Sequence, residues 1–378
     1  MIRRRQGIKS FLKGHIINSV GWKTSRKIVV IESDDWGSIR MPTREVFSGF
    51  INKGFNLTES TYNRLDTIER NADLEALFEV LHSFKDHYGN HPVFTANMVV
   101  GNPDFNKIRQ SEFREYFFEP VTETLKRYKN CSHVEALWKE GYITGLFHPQ
   151  FHGREHVNIA RWMTALREGS PEIMYSFDNE TTFSGKGDYN FMEVLDFNTK
   201  ADLSIMKESL HEGLEVFEYI FGYRSESFIP PCYIWSKEIE EELSGHGIKY
   251  IQGVVVQSEP RGSFGNYRRK YHYLGEKNDF GQYYLIRNCM FEPSLDQYND
   301  PVGTCLERIK TAFIWGRPAI IGTHRINYIG SLIEENRVSN LRLLRELLRR
   351  INETWEEVEY MTSDKLGNLI SANNSVNY

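Results

Sequence analysis

The chain has 378 residues and a net charge of -5, and 40% of its residues are hydrophobic and 26% charged. This composition is typical of a soluble globular protein, and it argues against nucleic acid as a partner because there is no excess of basic residues. No apolar run reaches the roughly 20 residues that a membrane-spanning helix needs.

The cysteines and the start of the chain predict a cytoplasmic protein. The four cysteines are widely spaced and form no C-x-x-C pair, so they indicate reduced thiols rather than a zinc knuckle or a disulfide framework. The segment from Met1 to Arg5 lacks the long apolar stretch of a secretory signal.

Residues 1–26 form a basic segment in which Lys and Arg alternate with Phe11, Leu12, Ile16 and Ile17. An interfacial helix has this pattern, and we keep peripheral membrane contact as an alternative. Packing of the segment on its own domain is the simpler expectation for a basic amphipathic helix.

The first half of the chain predicts alternating strands and helices. Residues 28–36 begin with four β-branched apolar residues and predict a buried strand. The following pattern predicts a helix over 73–87, a strand over 91–99, helices over 113–128 and 132–140, and a strand over 142–147. Residues 153–198 are predicted to be an insertion with a helix near 158–168.

The second half repeats this alternation. A long helix is predicted between a cap at Thr199 and a glycine stop at Gly222. Strands are predicted at 227–229, 250–256, 319–322 and 358–361, helices at 237–244, 302–315 and 341–355, and a hairpin excursion at 262–293. The order predicts an α/β protein, a single distorted (β/α) barrel of seven or eight units over 27–370, followed by a tail at 371–378.

Polar side chains follow three predicted strands, where barrels place their chemistry. Asp34 and Asp35 end the first strand, and His324 ends the strand that begins at Ala319. His148 and His152 follow a third strand; four residues apart, they would share one face of a helical turn, with Pro149 in its first turn. Two imidazoles and one carboxylate can hold a divalent metal and leave positions open. His152 and His156 have the same spacing and are the alternative pair.

With these motifs the chain, from about Lys27 to Leu369, resembles the polysaccharide deacetylase family, which comprises metal-dependent carbohydrate esterases. The resemblance implies a distorted barrel and the removal of acetyl groups from an N- or O-acetylated sugar or polysaccharide. It implies that Asp34 is the general base and His324 the general acid. It also implies that Asp35, His148 and His152 bind the metal, with Zn²⁺ expected and Co²⁺, Ni²⁺ or Mn²⁺ as alternatives.

The chain departs from the family pattern at three places. Pro149 replaces a hydroxyl residue in the histidine signature, and Ile229 stands where an arginine normally leads into the prolines Pro230 and Pro231. Arg224, Arg287 or Arg325 could supply the missing charge. No counterpart of the family's Asp-and-Trp segment, which tunes the acid histidine, is evident.

Four further residues are predicted to contact the sugar because they lie at strand ends or on the following loops. They are Trp36, Asn97, Tyr233 and Arg325. The alternatives are a core position for Trp36 and internal hydrogen bonding for Asn97 and Tyr233. Two other functions stay open, a glycan-binding relative with little activity and a glycoside hydrolase that uses Asp34 with a distant carboxylate.

Overall fold

The computed structural model describes residues 14–55, 60–183, 185, 190–295 and 300–375. The basic residues of the predicted membrane-contact segment from Arg3 to Lys13 lie outside this part of the chain. Strands in the described part are β1 Lys27–Trp36, β2 Phe94–Val99, β3 Gly101–Pro103, β4 Phe118–Pro120, β5 Phe147–Gly153, β6 Ser227–Phe228, β7 Tyr250–Gly253, β8 Val256–Pro260, β9 Tyr267–Tyr271, β10 Tyr283–Ile286, β11 Cys289–Met290, β12 Ala319–His324 and β13 Val358–Tyr360.

The described helices connect these strands, and several have the ends that their sequences predict. Thr199 accepts a hydrogen bond from the Asp202 amide at the start of the longest helix, and Gly222 ends it in a left-handed conformation. The helices are α1 Arg44–Asn52, α2 Thr61–Leu65, α3 Asn71–His82, α4 Phe105–Gln110, α5 Val121–Arg127, α6 Val134–Ile143, α7 Ile159–Glu168, α8 Pro171–Asp178, α9 Lys200–Phe221, α10 Lys237–Gly245, α11 Pro301–Ile314, α12 Glu334–Thr354 and α13 Ser363–Ser375.

The main sheet has nine strands, and every strand pair in it is parallel. Its order is β10-β7-β6-β5-β2-β1-β12-β11, and β13 pairs with the start of β1. The central strand β1 carries the apolar run 28–31, whose residues are at most 2% exposed, as expected for a strand covered on both faces.

The sheet curves until its two end strands almost meet. Only Arg287 and Asn288 separate β10 from β11 along the chain. The Arg287 amide donates to the carbonyl of Gly253, the last residue of β7, and the Asn288 amide donates to the Ile320 carbonyl in β12. These two residues therefore cross the seam of the barrel. The prediction of a distorted (β/α) barrel is confirmed, with the helices packed around a half-closed parallel sheet.

Several predicted elements differ from the structure. Of the helix predicted over 113–128 only Val121–Arg127 is helical, and Phe118–Pro120 is a strand. Residues 142–143 end helix α6, and the strand begins only at Phe147. Residues 148–152 lie in that strand, β5, and not in a helical turn, because β5 continues the parallel pairing with β2. The hairpin is formed by β8 and β9, whereas 283–286 and 289–290 within the predicted excursion belong to the main sheet.

The C-terminal helix α13 closes the amino end of the barrel. At its first residue, the Ser363 hydroxyl donates to Glu32 inside the barrel, and the Ser363 amide donates to the Thr95 hydroxyl in β2. Among the helices of the described residues, none has both the length and the apolar composition to cross a membrane.

Candidate metal centre

The two aspartates of β1 reach one site because the strand is irregular at its end. Successive side chains of a regular strand point to opposite faces. Asp35 has a φ of +75°, in the left-handed region that non-glycine residues rarely adopt, and the pairing of β1 with β2 shifts register between Ser33 and Trp36. This break in the strand turns Asp35 toward the carboxyl end of the barrel, next to Asp34.

Asp35, His152 and His156 form a cluster in which one ligand atom of each residue lies within 4.8 Å of the others. Nε2 of His152 and Nε2 of His156 are each 3.3 Å from Oδ1 of Asp35. Ligands that surround Zn²⁺ tetrahedrally at about 2.0–2.1 Å are separated from one another by about 3.3–3.4 Å. The spacing of the carboxylate from both imidazoles therefore fits an ion of this size.

Hydrogen bonding prepares His152 to act as a ligand. Its Nδ1 lies 2.7 Å from the Ile229 carbonyl oxygen, which can only accept, so Nδ1 carries the proton and Nε2 of the neutral ring presents a lone pair toward Asp35. A lone pair and a carboxylate oxygen at this distance repel one another unless a proton or a cation lies between them. Ile229 thus contributes its backbone carbonyl to the site.

His156 also favours the neutral form that binds metals. Burial lowers the pKa of His156 to about 3, although the Asp35 carboxylate acts in the opposite direction. Its Nδ1 is buried and has no hydrogen-bond partner among the described residues. The positively charged form is therefore disfavoured, and Nε2 is directed at the same carboxylate oxygen as that of His152.

The charges around the cluster leave a deficit of positive charge when every acidic member is ionised, whereas burial raises the pKa of Glu32 and of Glu69. Ion pairs connect six acidic side chains, three arginines and His324 into one group that is mostly shielded from water. If all of them are ionised, two negative charges remain, and a divalent cation would neutralise them. The acidic members are Glu32, Asp34, Asp35, Asp66, Glu69 and Glu292, and the arginines are Arg40, Arg287 and Arg325.

Asp34 is held as an ionised carboxylate beside the cluster. Arg287 donates to both of its oxygens, at 2.6 and 2.7 Å, and Asn97 donates to Oδ1 at 2.7 Å. Burial alone raises the pKa of Asp34, but the Arg287 guanidinium outweighs it and lowers the pKa to about 2. Of the three arginines that the sequence offered, Arg287 is therefore the one that pairs with Asp34. Its own orientation is fixed by a bond from Nε to Glu32 at 2.6 Å.

His324 lies across from Asp34, with its Nε2 3.6 Å from Oδ2 of that carboxylate. Its Nδ1 is 2.5 Å from Oε1 of Glu292, a residue not predicted from the sequence. Burial lowers the pKa of His324, but Glu292 and Asp34 together raise it to about 10, so the ring is protonated at neutral pH. Glu292 follows the short strand β11, and its place behind a strand end was the only signal that could have identified it.

His148 does not join the cluster, and its predicted role as a metal ligand with His152 is corrected. Four residues along a strand span about 13 Å, so two side chains at this spacing cannot share an ion. Nε2 of His148 is 3.2 Å from Asp364, and its ring lies beside those of Tyr142 and Tyr223, with centroids 5.5 and 5.9 Å away. It lines a cleft of about 720 Å³ at the amino end of the barrel. The structure instead assembles the alternative pair, His152 and His156, because the chain leaves β5 at Gly153.

Three of the four predicted sugar contacts are occupied by internal bonds. Trp36 is fully buried, donates to the Ser33 hydroxyl and packs edge-on against Phe147, so it belongs to the core. Asn97 is fully buried and donates to Asp34. Arg325 is fully buried between Asp66 and Glu69. These three residues cannot reach a substrate, and their predicted role is wrong.

Tyr233 remains a candidate for contact with a substrate. It is partly exposed, lies in the left-handed region together with Cys232, and its hydroxyl accepts a bond from Arg287 at 3.3 Å. Tyr62, which the sequence did not indicate, flanks the other side, with its ring edge-on to His324 and next to Arg40. Arg224 is away from the site and pairs with Glu218.

No family model and no curated protein matches the sequence. Among solved structures, a protein from Mycobacterium smegmatis described provisionally as a polysaccharide deacetylase is 9% identical with a TM-score of 0.48, and 94% of each chain is covered. A similarly described protein from Pseudomonas aeruginosa PAO1 is 8% identical with a TM-score of 0.44, and 91% of each chain is covered.

A 4-alpha-glucanotransferase from Thermococcus litoralis is 12% identical with a TM-score of 0.46; the match covers 90% of this chain and 40% of that enzyme. At such identities a likeness concerns the fold alone. Two of these three structures carry the name of the family that the sequence motifs resemble.

Proposed function

We propose that the protein is a metal-dependent hydrolase that removes acetyl groups from an N- or O-acetylated sugar or polysaccharide. The observation that carries this proposal is the placement of three metal-ligand atoms within 4.8 Å of one another, with an ionised aspartate and a protonated histidine beside them. Acyl transfer to water needs these three components, and they come from three separate segments of the chain.

Asp35, His152 and His156 would hold the ion, with Zn²⁺ favoured by the mixed nitrogen and oxygen ligands and Co²⁺, Ni²⁺ or Mn²⁺ as alternatives. A bound divalent ion would polarise the acyl carbonyl and lower the pKa of a bound water toward neutrality. A centre with three protein ligands leaves positions for water and substrate.

Asp34 accepts the proton of the attacking water. Its carboxylate is ionised at neutral pH because Arg287 lowers its pKa to about 2, and Oδ2 is the oxygen that faces His324. The ion pair with Arg287 also makes Asp34 a weaker base. The arginine therefore keeps the carboxylate charged and oriented but does not increase its basicity. Positioned proton transfer of this kind typically contributes a factor of about 10² to 10⁴ in rate.

His324 donates a proton to the departing amine or alkoxide. Glu292 on its Nδ1 keeps the ring protonated and fixes Nε2 toward the reaction space. About a fifth of the His324 side chain is exposed, so the acid lies nearer to the surface than the base. A substrate bound between them would present its acyl carbon to the buried side and its leaving group to the open side.

A glycan-binding relative with little activity was an alternative because Ile229 replaces the family's arginine. The bidentate contact of Arg287 with Asp34 removes that reason. The cytoplasm remains the proposed compartment, supported by the absence of disulfides among the four cysteines.

The proposal is tested by measuring acetate release from a panel of N-acetylated chitooligosaccharides and O-acetylated xylan, with chelated and metal-restored protein. We expect release that is lost on chelation, is restored by Zn²⁺ or Co²⁺, and is about 10² to 10⁴ times slower in Asp34→Asn. Reducing ends formed without acetate would support the glycoside hydrolase instead. Metal-replete protein that releases neither product would contradict the proposal.

A further inference from the structure

A layer of polar side chains crosses the barrel interior directly beside Asp34. Asn97 in β2 is paired in register with Gln150 in β5, and Ser227 and Gln252 follow on β6 and β7. All four are at most 1% exposed. Interior layers of barrels are usually filled by branched apolar residues. Buried amides are tolerated only when their hydrogen bonds are made, so this layer needs a specific arrangement.

Main-chain groups set the direction of hydrogen bonding in this layer. The amides of Glu226 and Ser227 donate to Oε1 of Gln150 at 3.1 and 2.9 Å, which identifies that atom as the oxygen because an amide N–H can only donate. The Ser227 hydroxyl also donates to this oxygen, at 3.0 Å. Having used its proton, that hydroxyl can only accept from Gln252, whose Nε2 lies 2.8 Å away.

The same direction continues from Gln252 to the base. With Nε2 of Gln252 on Ser227, Oε1 faces Asn97 and accepts from its Nδ2 at 2.9 Å. The second proton of this Nδ2 goes to Oδ1 of Asp34 at 2.7 Å. If the Asn97 amide turned over, its oxygen would face two acceptors. The present orientation is kept although Oδ1 of Asn97 is buried and has no partner among the described residues.

These bonds divide the two oxygens of Asp34 between different tasks. Oδ1 accepts from Asn97 and from Nη2 of Arg287, so both of its lone pairs are used. Among the described residues, Oδ2 accepts only from Nη1 of Arg287, and it is the oxygen that faces His324. A carboxylate rotated about its bond to Cβ would exchange these two environments.

We propose that Gln252 is a positioning residue, which acts through Asn97 to commit Oδ1 of Asp34 to the protein and leave Oδ2 as the proton acceptor. This inference rests on the proposed function, in which Asp34 is the base. Gln252 itself makes no contact with Asp34, His324 or the metal ligands in the hydrogen bonds of the described residues. Its effect is therefore on the orientation of the base and not on metal binding.

The test is a double-mutant cycle with the nearly isosteric changes Gln252→Met and Asn97→Leu in the metal-loaded full chain. We expect Gln252→Met to lower kcat about tenfold, as for other slight misplacements of a catalytic group, with KM and metal content unchanged. The double variant should be no slower than Asn97→Leu alone, because Gln252 acts through Asn97. Additive losses, or a normal kcat in Gln252→Met, would overturn the inference.

Gln257→Met is the matched control. Gln257 is equally buried and donates to the Trp235 carbonyl, but it lies outside the layer. This variant should keep the wild-type kcat and measures what the loss of any buried amide does to stability. If Gln252→Met does not fold, Ser227→Ala removes the acceptor of Gln252 with a smaller change and should lower kcat about threefold; a normal kcat would contradict the inference.

A crystal structure of Gln252→Met separates this inference from the proposed function. We expect the Asn97 amide or the Asp34 carboxylate to be rotated relative to the wild type. An unchanged Asn97–Asp34 contact would overturn the positioning role, whatever the enzyme hydrolyses. Wild-type protein without any deacetylase activity would instead overturn the proposed function, while a rotated carboxylate would still support the positioning role.

Discussion

Both ends of strand β5 carry a histidine beside an aspartate, and the two pairs differ in what surrounds them. At the carboxyl end, His152 lies 3.3 Å from Asp35, and His156 lies at the same distance from the same oxygen. At the amino end, His148 lies 3.2 Å from Asp364 but packs beside two tyrosine rings, with Gln150 3.0 Å away. The pairs have the same chemistry and nearly the same distance.

The difference shows that two features distinguish a candidate metal site from a structural ion pair. They are a third ligand and a ring nitrogen that is directed at the other ligands. Nε2 of His148 is satisfied by protein groups, whereas Nε2 of His152 faces a second imidazole and a carboxylate. The carboxyl end also gathers a strand irregularity, a buried arginine and a protonated histidine around one point. The amino end has none of these in the described residues and instead opens into a cleft of about 720 Å³.

The largest expected effect comes from removing one histidine from each end. His152→Ala should lose the bound ion and lower kcat by at least about 10³, because two ligands bind a divalent ion far more weakly than three. His148→Ala is the matched control and should retain one ion per chain. Elemental analysis after gel filtration gives the metal content. Loss of metal in His148→Ala, or its retention in His152→Ala, would reverse the comparison between the two ends.

Asp34→Asn should lower kcat by about 10² to 10⁴ while the ion stays bound, because the amide cannot take a proton from water. The change keeps the size of the side chain, and Asp35 supplies the ligand. Metal content and acetate release are measured on the same preparation. Equal metal loss in Asp34→Asn and His152→Ala would contradict the separate roles of Asp34 and Asp35.

Arg287→Lys should lower kcat about tenfold to a hundredfold, because an ammonium group cannot donate to both oxygens of Asp34 and to Glu32 at once. It should also lower the free energy of unfolding, since Glu32 and Asp34 remain buried with weaker partners. Denaturant titration and steady-state kinetics measure the two effects. The exposed Arg224, which pairs with Glu218, provides Arg224→Lys as a control. An unchanged kcat in Arg287→Lys would show that the charge alone is sufficient.

The smallest effect at neutral pH is expected from Glu292→Gln. Glu292 raises the pKa of His324, which reaches about 10, so the wild-type acid stays protonated below this value and activity falls as the pH rises through it. Without the carboxylate the pKa of His324 should be lower, and the alkaline fall in kcat should begin at a lower pH. The pH profile of kcat measures this shift. If kcat fell at the same alkaline pH in Glu292→Gln as in the wild type, Glu292 would be excluded as the group that raises the pKa of His324.

The sequence contains enough information to predict the barrel and the pair Asp34 and Asp35, because apolar runs and strand ends are local patterns. It could not choose between His148 and His156, since both are four residues from His152 and only the extension of β5 through His152 decides between them. Arg287 was one of three candidates, and Glu292 was not predicted. Their roles depend on where the seam of the barrel falls, and no local pattern specifies that position.

Trp36, Asn97 and Arg325 illustrate the opposite error. A position next to a catalytic residue at a strand end suggests contact with the substrate, but a buried charge also needs nearby polar partners. Asn97 and Arg325 meet this need for Asp34 and for Asp66, and Trp36 fills the space behind the irregular end of β1. Position in the sequence therefore predicted correctly that these three residues lie near the site. It predicted incorrectly that their side chains are exposed to a substrate.

Arg287 crosses the seam of the barrel and also binds Asp34, so activity depends on the barrel staying closed at this seam. The β10–β11 junction is held to the neighbouring strands by the backbone and side-chain bonds of Arg287 and Asn288, and proteins open locally before they unfold as a whole. When this junction separates, the guanidinium departs from Asp34. Activity should therefore be lost at a lower temperature or denaturant concentration than the helical circular dichroism signal.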